Sequence, residues 1–356
     1  MGQIVDFDRV PLRGQRDPYP AYAAMREAGR VLRSRFGALI VHRYEDVRQT
    51  HFDHDAFSIG AGMGGGMGPS EGSGAADEAP LMGRTMLTTD PPDHERLRRV
   101  VSQAFTPRSI TDLEPRVRQI AAELLAPLRR GEPLDIVADF AAPLPTIVIA
   151  ELLGVPAEDA HDFRRWSEAV TGTDTRSRAD TATSRRYGAE LRAYLAHQVD
   201  LRKEAPTDDL IGRMVVANEA NIMTDEEVVA ACILLLVAGN ETTMRLISNM
   251  TLALGRNPDQ LERLVADPSL VPSAVEETLR YDSPVQFLFR AAKRDADLAD
   301  VEVKKGQFIL TMIGAANRDP EAFVDPDAYD VGRRDNHHVA FGHGIHYCLG
   351  APLARR

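Results

Sequence analysis

The sequence predicts a mainly α-helical protein with minor β-sheet, folded as a single domain over residues 1–356. Three observations carry that expectation. From about residue 90 to about residue 281, apolar residues recur at three- and four-residue spacing, with punctuation at Pro107, Pro133, Pro143, Gly154 and Pro156. Inside that span, residues 231–238 (Ala-Cys-Ile-Leu-Leu-Leu-Val-Ala) are apolar on every face, so a helix there should pass through the protein's centre. Strand-like runs are few and short, at 31–35, 38–42, 287–289 and 308–310.

Taken in order, residues 21–29 give a short helix pattern before the first two strand-like runs. Residues 60–79 are glycine-rich, with few apolar side chains beyond Met63 and Met67, which predicts a flexible surface loop. Gly60, Gly62 and Gly65 there have Gly-x-Gly-x-x-Gly spacing. A dinucleotide fingerprint needs a strand before and a helix directly after, whereas Pro69, Ser70 and more glycines follow. Asp90-Pro-Pro-Asp-His-Glu-Arg-Leu-Arg98 opens a helix with an acidic cap and prolines in its first turn. Thr224-Asp-Glu-Glu227 is a capping box from which a long helix pattern runs to about Leu254, with Cys232 as plain core. Next, Gly239-Asn-Glu-Thr-Thr243 sets an acid and two hydroxyls into that apolar helix, and a hydroxyl bonding back to a carbonyl beside Gly239 predicts a local opening or kink. No internal repeat is visible.

The formal balance of 42 basic against 53 acidic residues, −11, disfavours nucleic acid as a partner. Two cysteines, Cys232 and Cys348, exclude a disulfide framework and point to a reducing compartment. The first twenty residues carry early charges and prolines without an apolar run, so no signal peptide or anchor is expected. The longest uninterrupted apolar stretch, 230–238, is too short to span a bilayer. A soluble, cytoplasmic protein is the expectation.

The chemistry concentrates in Phe341-Gly-His-Gly-Ile-His-Tyr-Cys-Leu-Gly350. A lone thiolate among glycines suits a large flat cofactor, because backbone without side chains can approach a planar ring closely. The residues after Cys348 read as the first turns of a helix, whose free N–H groups favour a thiolate. Two other readings stay open at this point. One is a buried structural cysteine. The other is zinc, since His337, His338, His343, His346 and Cys348 fall within twelve residues, although the paired ligand spacing of structural zinc sites is missing.

Phe341, Gly344, Cys348 and Gly350 fit Phe-x-x-Gly-x-x-x-Cys-x-Gly, and with it the chain resembles the cytochrome P-450 family, specifically its soluble bacterial members. Further motifs follow in that family's order: Ala238-Gly239-x-Glu241-Thr242, then Glu277-x-x-Arg280, then the cysteine stretch. The resemblance runs from Asp17 to Arg356 and implies the P-450 fold, a triangular helical domain with a long central helix and small β-sheets. It implies a monooxygenase that inserts one oxygen atom of O2 into an apolar organic substrate, with haem (heme b, iron protoporphyrin IX) ligated by Cys348. Thr242 and Glu241 would deliver protons. His94, Arg98, Arg290 and His346 would meet the haem propionates, with Phe341, Gly350 and Ala238 around the cofactor. Glu277 and Arg280 would form a buried structural network with Arg333. Electrons would come indirectly from NAD(P)H through a ferredoxin or flavodoxin and its reductase, docking where Arg96, Arg99, Arg355 and Arg356 supply local positive charge. A monomer is expected, with a mostly apolar pocket walled by residues 60–82, Ala238 and 285–288. The family usually continues beyond the helix after the cysteine, so a C-terminal segment bordering the pocket is expected to be missing. A haem-thiolate sensor without turnover, or an inactive fragment, is the alternative.

Overall fold

A computed structural model describes residues 3–7, 17–60, 83–171, 181–220 and 222–356. The glycine-rich segment 61–82, with most of the Gly-x-Gly-x-x-Gly spacing, lies outside the described residues. The chain divides into two compact units. One comprises residues 1–72, 249–348 and 355, the other residues 73–248, 349–354 and 356.

The first unit holds the described strands β1 (Ile4–Asp6), β2 (Val31–Arg33), β3 (Leu39–Val41), β4 (Phe57–Ser58), β5 (Leu288–Ala292), β6 (Ala296–Leu298), β7 (Val301–Val303) and β8 (Phe308–Thr311). Six of them form one sheet in the order β1-β2-β3-β8-β5-β4, and β6 pairs with β7 separately. The expected strands at 31–35 and 38–42 are shorter than predicted because Ser34 and Gly37 make the turn between them. The Gly37 N–H donates to the Ser34 carbonyl at 2.8 Å, and the Ser34 N–H to the Ala38 carbonyl at 2.8 Å. Gly37 sits at φ +81°, the left-handed region that a glycine adopts without strain.

Strand alternation sorts the core of this unit. Leu39, Val41 and Ile309 pack on one face with Val47 and Ala292, whereas Ile40, Leu310 and Met312 pack on the other with Tyr22 and Met25. β5 runs antiparallel to β8 with Arg290 opposite Ile309 and Leu288 opposite Thr311. That register puts Arg290 and Thr311 on the same sheet face as Ile309, the face covered by the helix Tyr44–Phe52. The short strands β1 and β4 were not predicted, since two or three residues are too few to show a period of two.

On the helix Val271–Tyr281, Glu277 and Arg280 are both fully buried. Arg280 uses every guanidinium N–H. Two bonds of 2.8 Å go to the Glu277 carboxylate, two more reach the Asn317 and Pro326 carbonyls at 3.0 and 2.7 Å, and one reaches Ala328 at 2.9 Å. Glu277 also accepts from the Arg333 Nε at 2.9 Å and the Asp330 N–H at 2.9 Å. The expected three-residue network is present.

The second unit is helical among its described residues. Its core is built on Leu97, Ile149, Leu153, Phe163, Leu191, Leu195, Ile211 and Leu236. The helix Asp225–Arg256 begins in this unit and continues into the first one. Both arms of its capping box form: the Glu227 N–H donates to Thr224 Oγ1 at 3.2 Å, and the Thr224 N–H donates to Glu227 Oε2 at 3.0 Å. Cys232 is buried in the core, and burial pushes its thiol up to about 12, so it stays protonated.

Two segments, Ile136–Leu153 and Asp225–Arg256, are long and apolar enough by length and composition to cross a membrane, which corrects the expectation from uninterrupted runs alone. About half of each qualifying window is buried within the protein, the pattern of a core helix.

Candidate functional site

The chain around Cys348 is a tight loop in the first unit. The Cys348 N–H donates to the Phe341 carbonyl at 2.9 Å, the Gly342 N–H to Val339 at 2.9 Å, and the Tyr347 N–H to Gly344 at 3.0 Å. Gly342 and Gly344 have φ of +73° and +72°. Gly344 also lies so close to the helix Tyr44–Phe52 that a Cβ there would stand 2.5 Å from the His51 carbonyl oxygen, whereas one on Gly342 would meet nothing nearer than 3.9 Å. Cys348 itself is half-buried. The helix expected to start at the cysteine starts three residues later, as the single turn Ala351–Ala354, with Gly350 O accepting the Leu353 and Ala354 N–H groups at 3.0 and 2.9 Å. The backbone of Gly350 therefore caps that turn.

Behind the loop, Arg290 is buried on β5 and donates from Nη1 to the Phe289 carbonyl at 2.8 Å. His346 is half-buried in the short helical turn Gly344–His346. A third nitrogen-bearing side chain, His51, was missed by the sequence analysis. It is 1% exposed, its Nε2 stands 2.8 Å from Thr311 Oγ1, and its buried Nδ1 has no hydrogen-bond partner. Only its burial beside Arg290 and the Cys348 loop marks it, and one histidine on a polar helix carries no such signal in sequence.

An ionic clamp ties the end of the loop to the helix Val271–Tyr281. Arg355 donates to both Glu276 oxygens at 2.6 and 3.0 Å, and its guanidinium lies 4.6 Å over the Phe341 ring. His338 accepts the Ala340 N–H on Nδ1 at 3.2 Å, so its proton is on Nε2, which donates to Glu276 at 3.2 Å. Burial opposes ionisation of Glu276, but the hydrogen bonds from His338 and Arg355 outweigh it and hold the carboxyl at about 2, against an ordinary 4.5. A depressed carboxyl stabilises the fold above its unfolded pKa and loses that contribution as pH falls towards the folded one. The parent's advantage over Glu276→Gln should therefore be constant above about pH 5 and shrink between about pH 4.5 and 2, read as urea midpoints across that range. A difference that does not change with pH would contradict this.

In the second unit, the helix Asp93–Val101 carries His94 and Arg98 on one face. His94 is buried and donates from Nδ1 to the Met86 carbonyl at 2.7 Å, while Arg98 is half-buried. On the long helix, the Thr242 hydroxyl donates to the Ala238 carbonyl at 2.7 Å, the predicted back-bond. The helix runs continuously through this point, so the expected opening does not break it. Gly239 has a packing role instead: a Cβ there would stand 2.5 Å from Ile149 Cδ1. Glu241 forms an i, i+4 ion pair with Arg245 on the accessible side, and Ala238 is exposed between half-buried neighbours. Asn240, also missed by the sequence analysis, is fully buried and donates to Thr146 Oγ1 at 2.6 Å, leaving its Oδ1 without a partner.

The expectation about docking charge changes, and the alternative zinc reading finds no ligand cluster among the described residues. Three of the four arginines assigned to a docking patch are engaged: Arg96 with Glu227 and Asp93, Arg355 with Glu276, and Arg356 with Glu114. Acidic neighbours neutralise them, and Arg99 remains exposed. Among the described residues no three His, Cys, Asp or Glu side chains converge to hold a metal ion. His337 stacks on Phe323 and contacts Asp335, and His338 turns to Glu276, so the histidines of this stretch are spread over separate partners.

A family model described as cytochrome P450 matches residues 192–356. The chain is 41% identical over 366 residues to cytochrome P450 107B1 of Saccharopolyspora erythraea, covering 99% of this chain and 88% of that protein. The chain belongs to the cytochrome P450 family. It is also 38% identical to a vitamin D(3) 25-hydroxylase of Pseudonocardia autotrophica, over 95% of this chain and 83% of that one. Among solved structures it is similar to the cytochrome P450 CYP109Q5 of Chondromyces apiculatus, with a TM-score of 0.87 and 37% identity over 99% of this chain and 87% of that one. As a P450 it is a haem-thiolate monooxygenase with a mostly helical fold and small sheets. The buried Glu277–Arg280–Arg333 network and the back-bonded Thr242 follow from its P450 motifs, whereas His51 and Asn240 lie outside those the sequence analysis used.

Proposed function

We propose that Cys348 is the haem ligand of this P450 and that residues 1–356 act as one monomeric domain hydroxylating an apolar organic molecule. The observation that carries the reading is the pair of cysteine environments. Cys232 is a buried thiol held protonated at about 12, whereas Cys348 is accessible at the end of a glycine-lined loop closed by its own N–H. The donor set fits haem b, with a soft thiolate for iron and the buried Arg290 guanidinium and His51 imidazole behind it for carboxylates. Held by a thiolate, haem supplies activation of O2 and insertion of one oxygen atom into a C–H bond.

The chain's own residues position and supply protons. Arg290, His346, His94 and Arg98 would hold the haem propionates, and Phe341, Gly350 and Ala238 would shape the surface around the ring. Thr242 donates its hydroxyl proton to Ala238 O, so its oxygen is left as an acceptor for an incoming proton. Glu241, on the accessible side of the helix, takes protons from water when it leaves Arg245 and passes them towards Thr242. The substrate class this reading favours is steroid-, terpenoid- or polyketide-like, and the 38% identity to a vitamin D(3) 25-hydroxylase supports it. Electrons reach the protein from NAD(P)H through a ferredoxin or flavodoxin and its reductase in the cytoplasm. With a surrogate ferredoxin, Thr242→Ala should keep consuming NAD(P)H while product per NAD(P)H falls at least about tenfold, below the usual span for a proton-transfer group. Fully coupled product formation by that variant would reject the relay.

A further inference from the structure

We propose that His51 is an additional haem-binding residue, its Nδ1 sharing one proton with a haem carboxylate. The inference rests on the haem reading above. The ring is fixed from one side only. The Thr311 hydroxyl donates to the Leu288 carbonyl at 3.2 Å, so its oxygen accepts the proton of His51 Nε2 at 2.8 Å. That bond sets the tautomer and leaves a bare lone pair on Nδ1, fully buried and without a partner. A polar atom sealed from water in this way is costly unless a partner completes it.

Nδ1 is directed at the Cys348 loop, where a Cβ on Gly342 would come within 3.9 Å of it. Among the described residues, the charged and titratable groups acting on the ring are Arg290 from β5 and His343 and His346 from the loop. Such a set is arranged for an anion. Burial and those neighbours keep His51 well below its ordinary pKa in the protein alone. A carboxylate arriving at Nδ1 supplies a partner of opposite charge. One proton taken up from solvent then lies between the ring nitrogen and the carboxylate oxygen, whichever of the two formally carries it.

Haem retention tests this without reference to turnover. The haem-loaded chain is mixed with excess apomyoglobin, and the rate of haem transfer is followed between about pH 6 and 9, the range in which a histidine–carboxylate proton exchanges with solvent. The parent should lose haem faster as pH rises. His51→Leu should lose it about tenfold faster at the acid end, the effect of one hydrogen bond to a charged group, with a flatter profile. His51→Gln, whose amide can donate but does not titrate, should be intermediate and equally flat. If His51→Leu does not fold, the His51→Gln profile decides: flat supports the contact, and one like the parent's overturns it. Equal rates and equal profiles for parent and His51→Leu overturn the inference while leaving the haem site intact. A parent that takes up no haem with a thiolate-type spectrum overturns both.

Discussion

Glu277→Ala is expected to destabilise the protein by about 3–5 kcal/mol, the usual cost of removing one partner from a buried ion pair. Arg280 would keep its carbonyl partners at Asn317, Pro326 and Ala328 but lose the Glu277 carboxylate that balances its charge. Arg333 and the Asp330 N–H would lose their acceptor in the same step. Whole domains are stable by only about 5–15 kcal/mol, so this one change removes a large fraction of the total. Urea unfolding followed by circular dichroism reads the effect. A midpoint within error of the parent would mean that Glu277 does not carry the network. Glu277→Gln should fall between the two, since it keeps an acceptor oxygen but presents an N–H to a guanidinium.

Gly344→Ala is expected to be the most damaging single change in the cysteine loop. The left-handed φ of +72° costs an alanine about 1–2 kcal/mol. Its methyl would also stand 2.5 Å from the His51 carbonyl oxygen and 3.2 Å from the Phe52 Cα, and these are backbone atoms that cannot rotate away. The loop must then lift off the helix Tyr44–Phe52, so both thermal stability and haem retention should fall. Gly342→Ala is the internal control. It carries the same φ penalty at +73° but no contact nearer than 3.9 Å, so it should cost only the strain. Equal losses for the two variants would show that the close approach of Gly344 has no energetic weight.

Much of this molecule is legible in its sequence because the relevant signals are local. The capping box at Thr224 and Glu227 forms as the spacing implies, and the helix it opens runs to Arg256, two residues beyond the expected end. The Thr242 back-bond likewise depends only on residues one helical turn apart. Burial of Glu277 and Arg280 is a different matter. Their i, i+3 spacing is that of any surface pair, and the order of motifs rather than the pair itself pointed to a network with Arg333. What stayed hidden is what distant segments bring together. His51 meets Thr311 across 260 positions, and Arg355 meets Glu276 across 79, so neither contact leaves a periodic trace. The same reason explains the docking arginines: their charge is visible in sequence, but Glu227 and Glu276, which help neutralise Arg96 and Arg355, lie far from them in the chain.

The central claim is that Cys348 binds haem as a thiolate. It is tested most directly by the absorption spectrum of the reduced, carbon-monoxide-bound protein, compared between the parent and Cys348→Ala. The account predicts a Soret band at the thiolate-ligated position for the parent and its complete loss in the variant, with Cys232 unable to substitute. A parent spectrum without that band, or a variant that keeps it, would contradict the assignment.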